Sequence, residues 1–496
     1  MSQVFYVKNF GAVGDGITND AKAINSALEA LIKCEKSGAM LVFEPNKTYY
    51  YKDNGTSQRP VMYFRNNNNI CIKGDNSTLL LGGCNLYYLN MEYCQNVTIE
   101  GLNFDYAEYK PAFYGKFCEI DAQNGTAVMI ADRDIHLENG EIYGTDKCRD
   151  FFACIDHPKS RWHMYVSSYE MLDCKERKLR VNFSKTDKRT MDRLKLDFLF
   201  DMGLIMMMPY SGNNIERAFS VHNNTNFTMR NCNIYSASKH GFSLQYNYGE
   251  FLFENVRIVP SEKDKDLHFV SWGDMFHLLQ NRAHYAWKNC TAKYNYDDVF
   301  NISVSLLVPN KVYAPNEVDL LFKETGGSFA KLLPGDKLTF IDVASGKYLR
   351  TEIFEVVKQE GSENRVIIKD NIEWLAEGRD IRVYVDSLGA KGAVMENCHF
   401  DGTFRARNEI SFINTFFHIR RFWIGIETMY EGSLSKNILF KNCTFEYDDE
   451  NEPYWEFTSH CKGKNTAHLE NIVFENCKGA DKKLMICSDE DEIIFK

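Results

Sequence analysis

The feature that most constrains this chain is a corner that keeps returning. The segments "NFTMRNCNI" (226–234), "YAWKNCTAK" (285–293), "GAVMENCHF" (392–400), "NILFKNCTF" (437–445) and "NIVFENCKG" (471–479) share one pattern. A short strand alternates apolar and polar residues, meets a polar corner, and gives way to a second short strand. "NVTIEGLNF" (96–104) and "EFLFENVRI" (250–258) repeat the pattern without its cysteine. The corner asparagines are Asn231, Asn255, Asn289, Asn397, Asn442 and Asn476. Asparagine tolerates left-handed backbone, and its amide can bond its counterparts above and below. Asn231 and Asn255 lie 24 residues apart, about one coil of a β-solenoid, and the longer intervals leave room for loops. A β-sandwich would need hairpin turns at regular short spacing, which are scarce here. The expected fold is all-β, a right-handed parallel β-helix.

The N-terminus fits that scheme. "NFGAVGDGITNDAKAINSALEALIKCEKSGAMLVFEP" reads as a glycine-rich turn, a helix with Ile24, Ala27, Leu28 and Leu31 on one face, and a strand. Such a helix would cap the open end of the first coil. No Lys-Ser/Thr follows the glycines, so they are not a P-loop. Two segments break the repeat. Residues 109–215 carry strands such as "RKLRVNFS", and residues 306–390 carry "LLPGDKLTFIDVASGKYLRTEIFEVVKQ" with hairpin-like turns. Both read as inserted β-barrel-like modules. They leave a cap with the first coils at 1–108, central coils at 216–305 and C-terminal coils at 391–496. An inserted module could wall a cleft or join two copies as a homodimer.

Bulk chemistry narrows the partners. The net charge is −10 with no Lys/Arg block, which argues against nucleic acid or an anionic membrane as partner. No apolar run is long enough to span a bilayer; the best, "FLFDMGLIMMM", carries Asp201. The cysteines form no CxxC pairs, and several sit at the repeating corner, where a small buried core residue is expected. With a start lacking a basic and apolar leader, they point to the cytoplasm, or to export if a leader has been removed.

Three carboxylates stand out against this scaffold. Asp274 in "VSWGDMFHLL" lies about one coil before the pair Asp297 and Asp298 in "NYDDVFNI". Successive coils stack roughly 4.8 Å apart, so these side chains fall within one substrate's reach. Adjacent strand residues face opposite sides, so both members of the pair reach one cleft only if the backbone bends. Clustered acids do not ionise independently, and a protonated acid beside an ionised one is what glycoside hydrolysis uses. Taken alone, the same residues could equally be solvated turn aspartates.

The N-terminal stretch resembles the opening of pectate-lyase-like β-helices. The run from "AFSVHNNTNFTMRNCNIYSASKHGF" through Asp274-Met-Phe-His277, "NYDDVFNI", the second insertion and "CHFDGTFRARNEISF" is similar in order and spacing to family 110 glycoside hydrolases. That resemblance implies an exo-acting, inverting α-1,3-galactosidase on a β-helix with barrel insertions. It implies Asp297 as general acid, with Asp274 and Asp298 holding and deprotonating the water. Inversion then calls for opposed carboxyls roughly 6.5–9.5 Å apart, and exo-action for a pocket walled by an insertion.

Other residues are candidates for holding sugar. His277 and His240 could bond hydroxyls or be buried, satisfied histidines. Arg405 and Arg407 alternate onto one face and could hold a hydroxyl or an acid, or make surface ion pairs. Trp272 could stack on a sugar or be core, and Glu427 and Trp423 lie one coil beyond. No set has convincing metal-ligand spacing, so neither a catalytic metal nor a cofactor is expected. An oligosaccharide is the expected partner. Other glycosidase specificity of the polygalacturonase kind, a polysaccharide lyase, and a non-catalytic sugar-binding β-helix are the alternatives, and fold alone does not separate them.

Overall fold

The six corner asparagines all adopt the left-handed backbone, with φ between +52° and +55°. Few other residues take that conformation without strain. Their amides stack along the axis: Asn255 Nδ2 donates to Asn231 Oδ1 at 2.9 Å, and Asn442 to Asn414 at 3.0 Å. Asn414 is a further corner of the same kind, at φ +50° and bonded at 3.2 Å to Asn397. Its neighbour is Thr415 rather than cysteine. The Thr415 hydroxyl donates to Ile413 and Met395 carbonyls, just as the Cys443 thiol donates to those of Lys441 and Phe412. The position therefore selects a small side chain with one weak donor. Cys232, Cys290, Cys398 and Cys443 are buried free thiols, and Cys477 is half-buried on a late coil.

The computed structural model describes the chain except at residues 1–2, 35–37, 54, 56, 84, 108–111, 133, 135–136, 139–140, 143–150, 158–159, 196–202, 208–216, 238–239, 265–269, 272, 324–329, 427–430, 433–434, 448–454, 460–468 and 488–490. Its coils form one continuous sheet of 29 strands, wound as a parallel β-helix. Inside runs a column of aromatic rings in register: Phe219, Phe242, Phe276, Phe300, Phe404, Phe422 and Trp455. All are buried, and the Phe219–Phe242 and Phe422–Trp455 rings stack at 4.5 Å. Each buried ring contributes roughly 1.5–3 kcal/mol relative to exposure.

The helix Ala21–Ile32 buries Ile24, Ala27, Leu28 and Leu31 at the N-terminal end. Asp20 precedes it, and its carboxylate accepts the Val13 and Gly14 amides at 2.7 and 3.0 Å, which pins the glycine-rich turn. Two closed six-stranded antiparallel barrels leave the coil stack, the first within residues 112–207 and the second within 307–385. The second is tied back by two arginine–carboxylate forks. Arg282 grips Asp336 at 2.5 and 2.7 Å, and Arg350 grips Glu470 at 2.8 and 2.9 Å. No helix among the described residues is long and apolar enough to cross a membrane.

Candidate active site

Strand alternation builds the site. Each ring of the aromatic column points inward, so the residue after it points out. Those outward residues are also in register: Ser243 on the strand His240–Gln245, His277 on Phe276–Leu279, Asn301 on Asp298–Ser305 and Arg405 on His399–Ala406. Just before these strands, Asp274 and Asp298 sit on neighbouring rungs, with the Met275 amide donating to the Asp298 carbonyl at 2.9 Å. The chain bends at Tyr296–Asp297 before the strand begins, and Asn295 Nδ2 holds the Asp297 carbonyl at 2.7 Å. A register shift follows between Asp298 and Phe300. Bulges of this kind re-aim side chains next to functional sites. The bend lets Asp297 and Asp298 face one cavity.

That cavity of about 310 Å³ is lined by His240, Asp274, His277, Asp297, Asp298, Asn301, Arg405 and Glu431. One oxygen from each of Asp274, Asp297 and Asp298 lies within 4.8 Å of the others. The three aspartates thus converge, but more tightly than the 6.5–9.5 Å separation expected for inversion. Stacking on adjacent rungs sets this: a repeat of roughly 4.8 Å brings in-register groups that close. The expected wall is also different. Among the described residues neither barrel lines the cavity. One side is instead formed by Glu431, on a two-residue strand running antiparallel to Val304–Ser305.

Each aspartate has its own surroundings. Asp274 is buried; its Oδ2 lies 2.7 Å from His277 Nδ1 and its Oδ1 accepts the Asp298 amide at 3.3 Å. Burial opposes its charge, but the His277 hydrogen bond and charge, with His240 and Arg405, hold Asp274 below its ordinary value. The same pair raises His277 to about 9 against the opposing effect of burial, with Glu431 and Asp297 adding to the shift. His277 is therefore an imidazolium at neutral pH. The Asp274 amide donates to His240 Nδ1 at 3.0 Å, so a neutral His240 carries its proton on Nε2. Asp298 is buried, with Oδ2 2.9 Å from Arg405 Nε and Oδ1 lacking a hydrogen-bond partner. Burial and the Asp274 charge push it up, and Arg405 works against them. Asp297 is the most accessible of the three. Burial first, then the Asp274 charge, raise it to about 7, with Arg405 opposing. Near neutral pH the cluster thus holds an ionised base, Asp274, beside a carboxylic acid, Asp297.

The remaining candidates divide. Arg407 is buried and reaches Asn301 Oδ1 at 3.4 Å and Glu431 at 3.7 Å, at the back of the site. Trp423 follows Arg405 in register, and its ring is flanked by the Arg405 and Arg421 guanidinium groups at 4.8 and 4.7 Å. Trp272 and Glu427 lie outside the described residues. Sequence reasoning missed Asn301 and Glu431. Asn301 had a signal, since it lies 24 residues, one coil, after His277. Glu431 had none. Two overlapping triplets, His240–Asp274–His277 and Asp274–Asp297–Asp298, bring enough ligand atoms together to hold a cation.

This chain builds an acid cluster on adjacent rungs of a parallel β-helix. The chain is 22% identical over 350 residues to alpha-1,3-galactosidase A of Akkermansia muciniphila, covering 64% of this chain and 56% of that protein. It thus spans about half the length of the curated relative it matches. No family model matches the chain. Among solved structures, an exopolygalacturonase from Thermotoga maritima is 10% identical over 96% of this chain and 73% of its own, with a TM-score of 0.36. The A-module of an Azotobacter vinelandii mannuronan C-5 epimerase is 9% identical over 98% of both chains, with a TM-score of 0.35. Likeness at that level adds nothing to what the backbone itself shows.

Proposed function

We propose that this protein is an exo-acting glycoside hydrolase that releases terminal galactose from α-1,3-linked galactosides. The observation that carries this reading is the convergence of Asp274, Asp297 and Asp298 in one sugar-sized cavity, with Asp274 held low and Asp297 raised to about 7. The distant α-1,3-galactosidase relative supports the choice of sugar. Asp297 gives its proton to the glycosidic oxygen as the bond from that oxygen to the anomeric carbon breaks. Asp274 and Asp298 orient a water, and Asp274 takes its proton as the water oxygen bonds to the same carbon.

Inversion is part of the proposal, and the spacing is what weighs against it. Carboxyls this close suit a covalent intermediate when only two are present. Here a third is present, and Asp274 and Asp298 are each engaged, by His277 and by Arg405. Two engaged carboxylates suit holding a water better than attacking carbon. A uronate substrate is less well supported, because Arg405 and Arg407 already face Asp298 and Glu431. The test is a panel of nitrophenyl α- and β-glycosides and α-1,3-linked digalactosides, with the released sugar identified and its first anomer read by NMR. Galactose appearing first as the β-anomer, with EDTA without effect, is the expected result. The α-anomer first would replace inversion by retention, and no cleavage of any α-galactoside would remove the substrate assignment.

A further inference from the structure

Glu431 enters the cavity from outside the repeat, and its two oxygens are treated differently. Oε2 accepts from Asn301 Nδ2 at 3.0 Å and Ser303 Oγ at 3.3 Å, with Arg407 Nη1 at 3.7 Å. Oε1 makes no hydrogen bond among the described residues and lies 3.9 Å from His277 Nε2. That distance is too long for a direct bond. His277 Nδ1 is committed to Asp274 at 2.7 Å, so Nε2 is the ring's remaining donor. An acceptor and a donor, both on the cavity wall, thus stand 3.9 Å apart, close enough for one hydroxyl oxygen lying beside them to reach both at hydrogen-bond distance. A hydroxyl set between them would accept from Nε2 and donate to Oε1, which a methylene in its place cannot do.

We propose that Glu431 is a specificity-determining residue which, with His277, grips one hydroxyl of the sugar in the cavity. The inference rests on the glycosidase reading for its substrate class, but the geometry behind it does not involve Asp297. Asn301 and Arg407 are both donors toward Glu431, so in Glu431→Gln the carboxamide oxygen stays on them and its NH₂ turns toward His277. The substitution therefore removes the acceptor while the anchoring contacts remain.

The test compares wild type and Glu431→Gln on a nitrophenyl α-galactoside and its monodeoxy analogues at each hydroxyl position. Wild type should lose roughly 10–100-fold in kcat/KM on one analogue, the range for a hydrogen bond to a charged group. In Glu431→Gln the penalty on that analogue should shrink severalfold, because only the His277 contact to the hydroxyl remains, while the other analogues keep their wild-type ratios. His277→Gln, approached from the donor side, should shrink the penalty on the same analogue, and circular dichroism reports whether either variant stays folded. If every analogue keeps its wild-type ratio in both variants, Glu431 reads no hydroxyl and the inference fails. Calorimetric binding of free hexoses and their monodeoxy forms runs in parallel. Hexose binding without turnover, with one hydroxyl's contribution reduced in Glu431→Gln, overturns the hydrolase reading and keeps this inference; no hexose binding overturns both.

Discussion

The coil stack and the two barrels are both all-β, yet all the described residues that line the candidate site belong to the stack or to the short strand beside it. In the stack, parallel pairing repeats one register coil after coil, so residues 24 positions apart become rung neighbours. A column of phenylalanines inside then fixes a column of polar residues outside. In the barrels, antiparallel pairing matches each strand with a partner running the other way, and repeated register shifts interrupt the ladders of strands such as Tyr348–Glu360. No long column of like residues builds up there. In this chain the convergence of carboxylates comes from repetition, and the second barrel is attached through Arg282–Asp336 and Arg350–Glu470.

The largest expected effect comes from removing the proposed proton donor. Asp297→Asn keeps the side-chain shape but cannot donate, and positioned acid–base catalysis contributes about 10²–10⁴-fold. Turnover of natural disaccharides should fall by that factor with binding kept, and an aryl glycoside with a good leaving group should be less affected. The same role fixes a pH dependence. Asp297 is raised to about 7 and would need its proton to act as the acid, so kcat/KM should fall on the alkaline side, by about tenfold per pH unit above that value. The acid limb should lie below the ordinary carboxylate range, because Asp274 is held down.

Next in size is a pair of core substitutions. Phe276→Ala in the stack and Phe340→Ala in the second barrel each remove a fully buried ring, at a cost of about 3–5 kcal/mol. Calorimetry should register both. Only Phe276→Ala should lower activity per folded molecule, since His277 hangs on the next residue. Equal losses of activity would show that the barrel shapes the site after all. The smallest expected effect is at a corner. Asn255→Ala puts an alanine at φ +53°, which costs roughly 1–2 kcal/mol, and Asn255→Gly should recover most of it.

Much of this was legible in the sequence because the stack writes its geometry as a period. The corners from Asn231 to Asn476 gave the coils, and the spacing of Asp274 to Asp297 and Asp298 gave the cluster. Arg405 and Arg407 followed from strand alternation. Asn414 is harder to find, since threonine stands in place of the cysteine and its corner follows Asn397 after only 17 residues. Glu431 was invisible for a different reason. It contacts Asn301 across 130 residues from a strand that runs against the repeat, so no period predicts it. The tight carboxyl spacing also escaped, because coil stacking, which the sequence does encode, was overridden by the separation expected from the mechanism.

Burial first, and then the Asp274 charge that stacking sets beside it, raise the Asp297 carboxyl to about 7. Carbon-13 NMR of labelled aspartate side chains, titrated in wild type and in Asp274→Asn, tests it without any substrate. Among the raised carboxyls in wild type, the one lost in Asp297→Asn should titrate near 7 and move down when the Asp274 charge is removed. An Asp297 carboxyl that titrates in the ordinary aspartate range, or that does not move in Asp274→Asn, would contradict it.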